Sequence, residues 1–187
     1  MLSKFINHNT PINDLHVIER NPIIDDRGFL ERLFCSSELD IFLNNKQIKQ
    51  INRTLTKKKG SVRGLHFQNS PYAEKKIITC LKGSVFDIAI DLRKNSSTFL
   101  QWHAEILSEE NLKSFIIPEG FAHGFQTTSD DVEMLYFHTN DYSSKHEDAL
   151  NINDPLLNIK LPLNISDISV RDDTHLFINK KFKGIKL

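Results

Sequence analysis

Ser84-Val-Phe-Asp-Ile-Ala-Ile-Asp-Leu92 is the stretch whose reading decides the fold. In an extended chain successive side chains point to opposite faces. Phe86, Ile88, Ile90 and Leu92 therefore share one face, and Val85, Asp87, Ala89 and Asp91 share the other. The first face is wholly apolar, and the second mixes small apolar groups with carboxylates. A strand of this kind fits a sandwich or small barrel, apolar outside one sheet and mixed on the inner face.

Around it, from Lys75 onward, β-prone runs recur at intervals of roughly ten residues, the spacing of all-β sandwiches and barrels. Leu100 to Leu107, Ser114 to Ile117, Ala122 to Thr127 and Val132 to Thr139 continue the series, with turns at Pro118-Glu119-Gly120 and Ser129-Asp130-Asp131. Upstream, Lys57-Lys58-Lys59-Gly60 reads as a solvated hairpin tip. Asp25-Asp26-Arg27-Gly28 is a turn leading into a β-prone run from Phe29 to Phe34, and Ser36-Ser37-Glu38-Leu39 has the N-cap chemistry of a short helix reaching Leu43. Residues 1–20 read as a terminal arm with an edge strand from Leu15 to Glu19. Past Asp148 the pattern gives way to Asn- and Pro-bearing loops and a solvated lysine-rich tail, Lys180-Lys181-Phe182-Lys183. One all-β domain over residues 1–187 is expected, with an arm to about 24, a barrel core from about 25 to 140, and C-terminal loops beyond.

The 187 residues, 39% of them hydrophobic, suffice for one well-formed core. Lys and Arg number 24 against 24 Asp and Glu. There is thus no basic field to draw nucleic acid or an acidic membrane as principal partner. Neither a charged-then-apolar leader nor an apolar run of about 18 residues occurs. Cys35 and Cys80 make no CxxC pair and sit in apolar runs, as small buried thiols do. A reducing cytoplasm is the expected location.

Inward positions of a barrel alternate along each strand, so parity nominates the pocket residues. His66 shares a face with Gln68, Lys76 with Ile78 and Cys80, and Tyr136 with Met134 and His138. A base, a cation and a phenol converge if those faces point into one lumen. His123 adds a second histidine within Pro118-Glu-Gly-Phe-Ala-His-Gly-Phe125. Metal-binding barrels of this type use a His-x-His pair, but here the segment reads His66-Phe67-Gln68, and an amide is a poor ligand for a transition metal. No dinucleotide fingerprint, P-loop or Gly-x-Ser-x-Gly elbow is present. No metal and no cofactor is expected.

Arg63-Gly-Leu-His-Phe-Gln68, Lys76, Gly83-Ser-Val-Phe-Asp87, Asp91-Leu-Arg93, Ser97-Thr-Phe99, Pro118 to Phe125 and Leu135-Tyr136, in that order and spacing, resemble the dTDP-4-dehydrorhamnose 3,5-epimerase family. The resemblance runs from about Asp26 to Asp172. It implies a cupin-type double-stranded β-helix, a jelly-roll barrel without catalytic metal, working as a homodimer on a nucleotide-diphosphate sugar that carries a 4-keto-6-deoxy ring. It also implies that His66 is the general base, Asp172 the carboxylate orienting it, Lys76 the cation beside the keto oxygen and Tyr136 the acid on the opposite face. Arg63 and Arg27 match diphosphate contacts, while Asn52 and His123 match pocket-lining positions. Gln68 completes the expected substrate-binding set. Arg32, Asp141-Tyr142 and His138 depart from the best-known rhamnose-pathway members, so the chain resembles a side branch.

The residue types suit that chemistry in their own right. A hydrogen next to a ketone is weakly acidic, and a neutral imidazole removes it only if the enolate is stabilised. A nearby ammonium supplies that stabilisation, and inversion needs a proton donor on the other face. The alternatives are a 3,4-ketoisomerase-like sugar enzyme, a non-catalytic cupin-type sugar-binding module and a metal-dependent cupin.

Overall fold

A computed structural model describes residues 4–187. The first three residues of the expected arm lie outside the described residues. In chain order the elements are β1 (Phe5–Asn9), β2 (His16–Arg20), β3 (Ile23–Asp25), β4 (Gly28–Leu30), α1 (Ser36–Leu43), β5 (Gln50–Thr56), β6 (Ser61–Gln68) and β7 (Lys76–Lys82). Then follow β8 (Ser84–Asp91), β9 (Trp102–Ser108), β10 (Lys113–Ile117), β11 (Phe121–Thr127), β12 (Val132–His138), β13 (Glu147–Ala149), β14 (Asp167–Ile168) and α2 (Val170–Asp173).

The strands form two large sheets. One has the order β1-β2-β10-β7-β12-β5 and the other β13-β6-β11-β8-β9, with β14 pairing β6 in parallel; β3 and β4 make a separate hairpin. From β5 to β13 the chain passes from one sheet to the other at every step except the β8–β9 hairpin, as in a jelly-roll barrel. The lumen between the sheets is filled from both walls. Val17, Ile78, Cys80, Phe115 and Met134 of the first sheet pack with Val85, Ala89, Leu107, Phe121 and Phe125 of the second.

Each sheet needs a cover, because its outer face is also apolar. On the first, α1 presses Leu39 and Leu43 onto Ile77, Ile116 and Phe137. On the second, Ile88, Ile90 and Leu92 of the deciding strand, with Val62, Leu65 and Phe67, lie under Leu150, Ile152, Leu157 and Ile185. The alternation read along Ser84 to Leu92 is therefore the boundary between lumen and cover. Asp91 closes the strand: fully buried, it takes hydrogen bonds from Arg93, Ser96 and Thr98. Burial pushes its carboxyl up, but those donors outweigh it and hold the group below the usual carboxylate range.

Several expectations need correction. The strand expected at Leu15–Glu19 is β2, and it is internal, since β1 pairs its other edge. Only Phe29 and Leu30 of the Phe29–Phe34 run are strand, in β4; Leu33 and Phe34 turn inward to pack beside α1. The helix is capped by Cys35, one residue earlier than expected and without a side-chain cap bond, leaving that thiol half-buried while Cys80 is fully buried. Lys57 to Gly60 is no hairpin tip, because β5 and β6 belong to different sheets; it is a corner, held by the Ser166 hydroxyl donating to the Lys59 carbonyl at 2.6 Å. The lysine-rich tail is anchored, with Phe182 packed against the second sheet's cover and Ile185 paired with Arg93.

One irregularity positions the pocket. Along β11, His123 faces His66 and Phe125 faces Arg63, so Gly124 alone opposes both Gly64 and Leu65. This bulge shifts parity along β6. Val62, Leu65 and Phe67 end up on the outer face, while Arg63 and His66, three positions apart, both serve the inner one. The glycines permit it: a Cβ at Gly64 (φ +117°) would stand 2.4 Å from the Gly124 Cα.

Candidate active site

The polar end of the lumen is assembled by strand register. Lys76 on β7 lies directly opposite His138 on β12, Tyr136 opposite Asn52 on β5, and His66 opposite His123. The inward faces nominated by parity meet at this end of the lumen, where Lys76 reaches the His66 carbonyl and the His123 ring lies edge-on to Tyr136. Val85, Cys80 and Met134 close its apolar part.

His66 Nε2 lies 2.8 Å from Asp172 Oδ1. A carboxylate can only accept, so Nε2 carries the proton and Nδ1 is left as the basic atom of the ring. The imidazole is one-third exposed and the carboxylate 6% exposed, which suits a base that meets a ligand and a partner that does not. Asp172 sits in the first turn of α2, where its N–H is capped by the Ser169 hydroxyl, and the Gly64 N–H donates to its Oδ2. Burial pushes the carboxyl up, yet the His66 bond and charge and the Gly64 N–H prevail and hold it below the ordinary carboxylate range.

Lys76 is buried, and its Nζ donates to the carbonyl of His66 itself at 3.4 Å. It also lies 3.5 Å from Glu74 Oε1. The Tyr136 hydroxyl is 3.4 Å from the Thr54 hydroxyl, and burial pushes its pKa well up, with Thr54 and the positive Arg63 opposing. The phenol is therefore protonated at neutral pH and available as an acid. His123 is buried, with Nε2 at 2.9 and 3.0 Å from the two oxygens of Asp87. Burial pushes the Asp87 carboxyl up, with His123 and Lys76 opposing.

Of the remaining expected residues, Asn52 points its amide at His138 Nε2, 3.4 Å away, and Arg63 donates to the Thr56 hydroxyl at 3.1 Å while staying otherwise exposed. Gln68 spends both amide hydrogens on the carbonyls of Tyr72 and Asp141 and accepts from the Ser143 N–H, so it pins the loops at the pocket's rim. Arg27 is not brought to the cluster. It stands on the β3–β4 hairpin, paired with Asp25 at 2.5 Å. Among the described residues no three His, Cys, Asp or Glu side chains gather as a metal cluster; each pocket imidazole is tied to its own carboxylate.

Asp87 and Glu74 are the residues that sequence reasoning missed. Asp87 was legible, because an inward carboxylate between Val85 and Ala89 must find a partner. Glu74 was not, since it lies in the irregular approach to β7, where no period assigns a face.

Comparison with known proteins agrees with this fold. The family model of dTDP-4-dehydrorhamnose 3,5-epimerase matches residues 9–180. The enzyme of that name from Shigella flexneri is 38% identical over 164 residues, which span 87% of this chain and 90% of the relative. The solved epimerase of Bacillus anthracis, which holds TDP and PPi, superposes with a TM-score of 0.89 at 32% identity, covering 93% of this chain and 99% of that one. A Legionella pneumophila epimerase in complex with dTDP-4-keto-L-rhamnose gives 0.85 at 37% identity, covering 90% and 89%. A barrel of this topology, with matches along nearly its whole length, belongs to the dTDP-4-dehydrorhamnose 3,5-epimerase family.

Proposed function

We propose that this chain inverts C3, C5 or both of a 4-keto-6-deoxy sugar linked to a nucleoside diphosphate, with His66 as base and Tyr136 as acid. The observation that carries this assignment is the 2.8 Å bond between His66 and the buried Asp172. It fixes the tautomer, leaves Nδ1 free to accept a carbon-bound proton, and stabilises the imidazolium that results. The electron pair of the broken C–H bond moves onto the C4 oxygen, where Lys76 stabilises the enolate. Tyr136 then gives its proton to the same carbon from the opposite face. The phenolate and imidazolium return to their starting states by proton exchange with water, so the sugar changes configuration but not composition.

Arg63 suits a diphosphate, since a guanidinium fork makes paired charge-assisted hydrogen bonds. Arg27 requires a second copy to reach such a ligand. Its hairpin exposes Ile24 and Phe29 by 75% and 70%, and edge strand β5 exposes Ile51 and Leu55. Apolar surfaces of this kind favour a homodimer in which each hairpin is covered by the other subunit.

The test is incubation with dTDP-4-keto-6-deoxyglucose in deuterated water. Deuterium appearing at C3 or C5 supports the reading. No incorporation with this substrate or its CDP and GDP analogues would sink it, and a moved carbonyl would assign ketoisomerase chemistry instead. His66→Ala is expected to abolish exchange at both carbons.

A further inference from the structure

His138 is a pocket imidazole that the mechanism leaves without a task. It shares the inward face of β12 with Met134 and Tyr136 and stacks on Tyr136 at 6.2 Å between ring centroids. Its Nδ1 lies 2.9 Å from Oε2 of Glu74, whose other oxygen faces Lys76. Both residues are buried. One carboxylate thus braces two cross-strand neighbours, the ammonium and the imidazole.

The brace fixes what His138 can present. Because the carboxylate accepts at Nδ1, the neutral ring offers a lone pair at Nε2. The Asn52 Nδ2 donates to that atom at 3.4 Å, a bond long enough for a ligand oxygen to displace by inserting between the two groups. An acceptor and a donor so close together are the complement of a single hydroxyl, which donates to Nε2 and accepts from the amide. A keto or phosphate oxygen can only accept, and a methyl group can do neither. Asn52 and His138 flank Tyr136 and Lys76, the two residues assigned to the reacting carbonyl region.

Resting on the epimerase reading, we infer that His138, oriented by Glu74 and aided by Asn52, is a specificity-determining residue that holds the sugar hydroxyl on C3, the carbon beside the ketone that bears one. The chain accordingly selects sugars hydroxylated there over their deoxygenated counterparts. Glu74 is a positioning residue, acting through His138 and Lys76.

The experiment is a double-mutant cycle between enzyme and substrate, read as kcat/KM for deuterium exchange at C5. The parent 4-keto-6-deoxy sugar nucleotide and its 3-deoxy analogue are each given to wild type, to His138→Phe and to Asn52→Ala. His138→Phe keeps an aromatic ring on Tyr136. Because it strands the Glu74 carboxyl, the double variant His138→Phe/Glu74→Gln is measured beside it, and thermal melting confirms folding. With the parent sugar, the His138 variants are expected to lose about 10- to 100-fold, the cost of an unmade buried hydrogen bond. With the 3-deoxy analogue they should lose less than about threefold, the difference being the coupling of His138 to the hydroxyl. Equal losses with both sugars, or no loss with either, overturn the inference while leaving the epimerase reading intact. Failure of wild type to exchange at all overturns both.

Discussion

Asp172 reaches His66 across a sequence separation of 106 residues, and three bonds fix it there: the imidazole, the Gly64 N–H and the Ser169 cap. Asp172→Asn keeps the shape but removes the charge that stabilises the imidazolium. Exchange of the C5 hydrogen is expected to slow by about 10- to 100-fold, as other losses of an orienting partner do, and NMR of the product in deuterated water measures it. Tyr136→Phe separates the two faces. Deprotonation by His66 survives and reprotonation from the far side does not, so inversion should fall more than exchange; equal losses would remove Tyr136 from its role. Of the set proposed for catalysis, His66, Lys76 and Tyr136 were legible because they sit on strands whose parity assigns their faces. Asp172 came only with the family resemblance, since nothing in Ile168-Ser-Val-Arg-Asp172 itself points toward β6.

Among the elements, β6 and β11 carry the tightest constraint. An alanine at Gly64 would drive its Cβ into the Gly124 Cα and the His123 carbonyl, at a φ that disfavours any side chain. Gly64→Ala should cost about 1–3 kcal/mol, as overpacking does, and shift His66 from Asp172; denaturant melts and the exchange assay check both effects. The end of β8 makes a different prediction. Asp91 and Asp172 are both held below the ordinary value of 3.8. Their stabilisation is therefore present above about pH 4 and is lost as pH falls through the depressed native values. Asp91→Asn should lower the melting temperature at neutral pH and flatten its decline in acid; a slope as steep as that of wild type would contradict this. The strands of β8 to β12 could be read from their period of two. The bulge could not, because two glycines in separate strands reveal their meeting only once the strands pair.

For the whole molecule, the layers follow from one requirement, that both outer sheet faces as well as the lumen be kept from water. The apolar outer face of β8 announced a cover, but the covering segments, residues 150–168 and 178–185, have no period of their own. Leu150, Ile152 and Leu157 are spaced by loops instead of by strands, so composition alone reads them as loosely held chain. The exposed hairpin makes the remaining prediction. Light scattering should give twice the chain's 21.6 kDa for the wild type and one chain for Ile24→Asp/Phe29→Asp. A wild-type mass of one chain would contradict the dimer.

The C-terminal wrap also sets an order of events. The strands that enclose the lumen are complete by His138, whereas Asp172, the carboxylate proposed to aim the base, follows Leu150, Ile152 and Leu157 of the outer cover. During synthesis the container is therefore made before the chemistry. A barrel clipped between His138 and Asp172 keeps its lumen strands and His66 but loses the carboxylate bonded to that ring, so the proposed activity depends on the wrap as much as on the barrel.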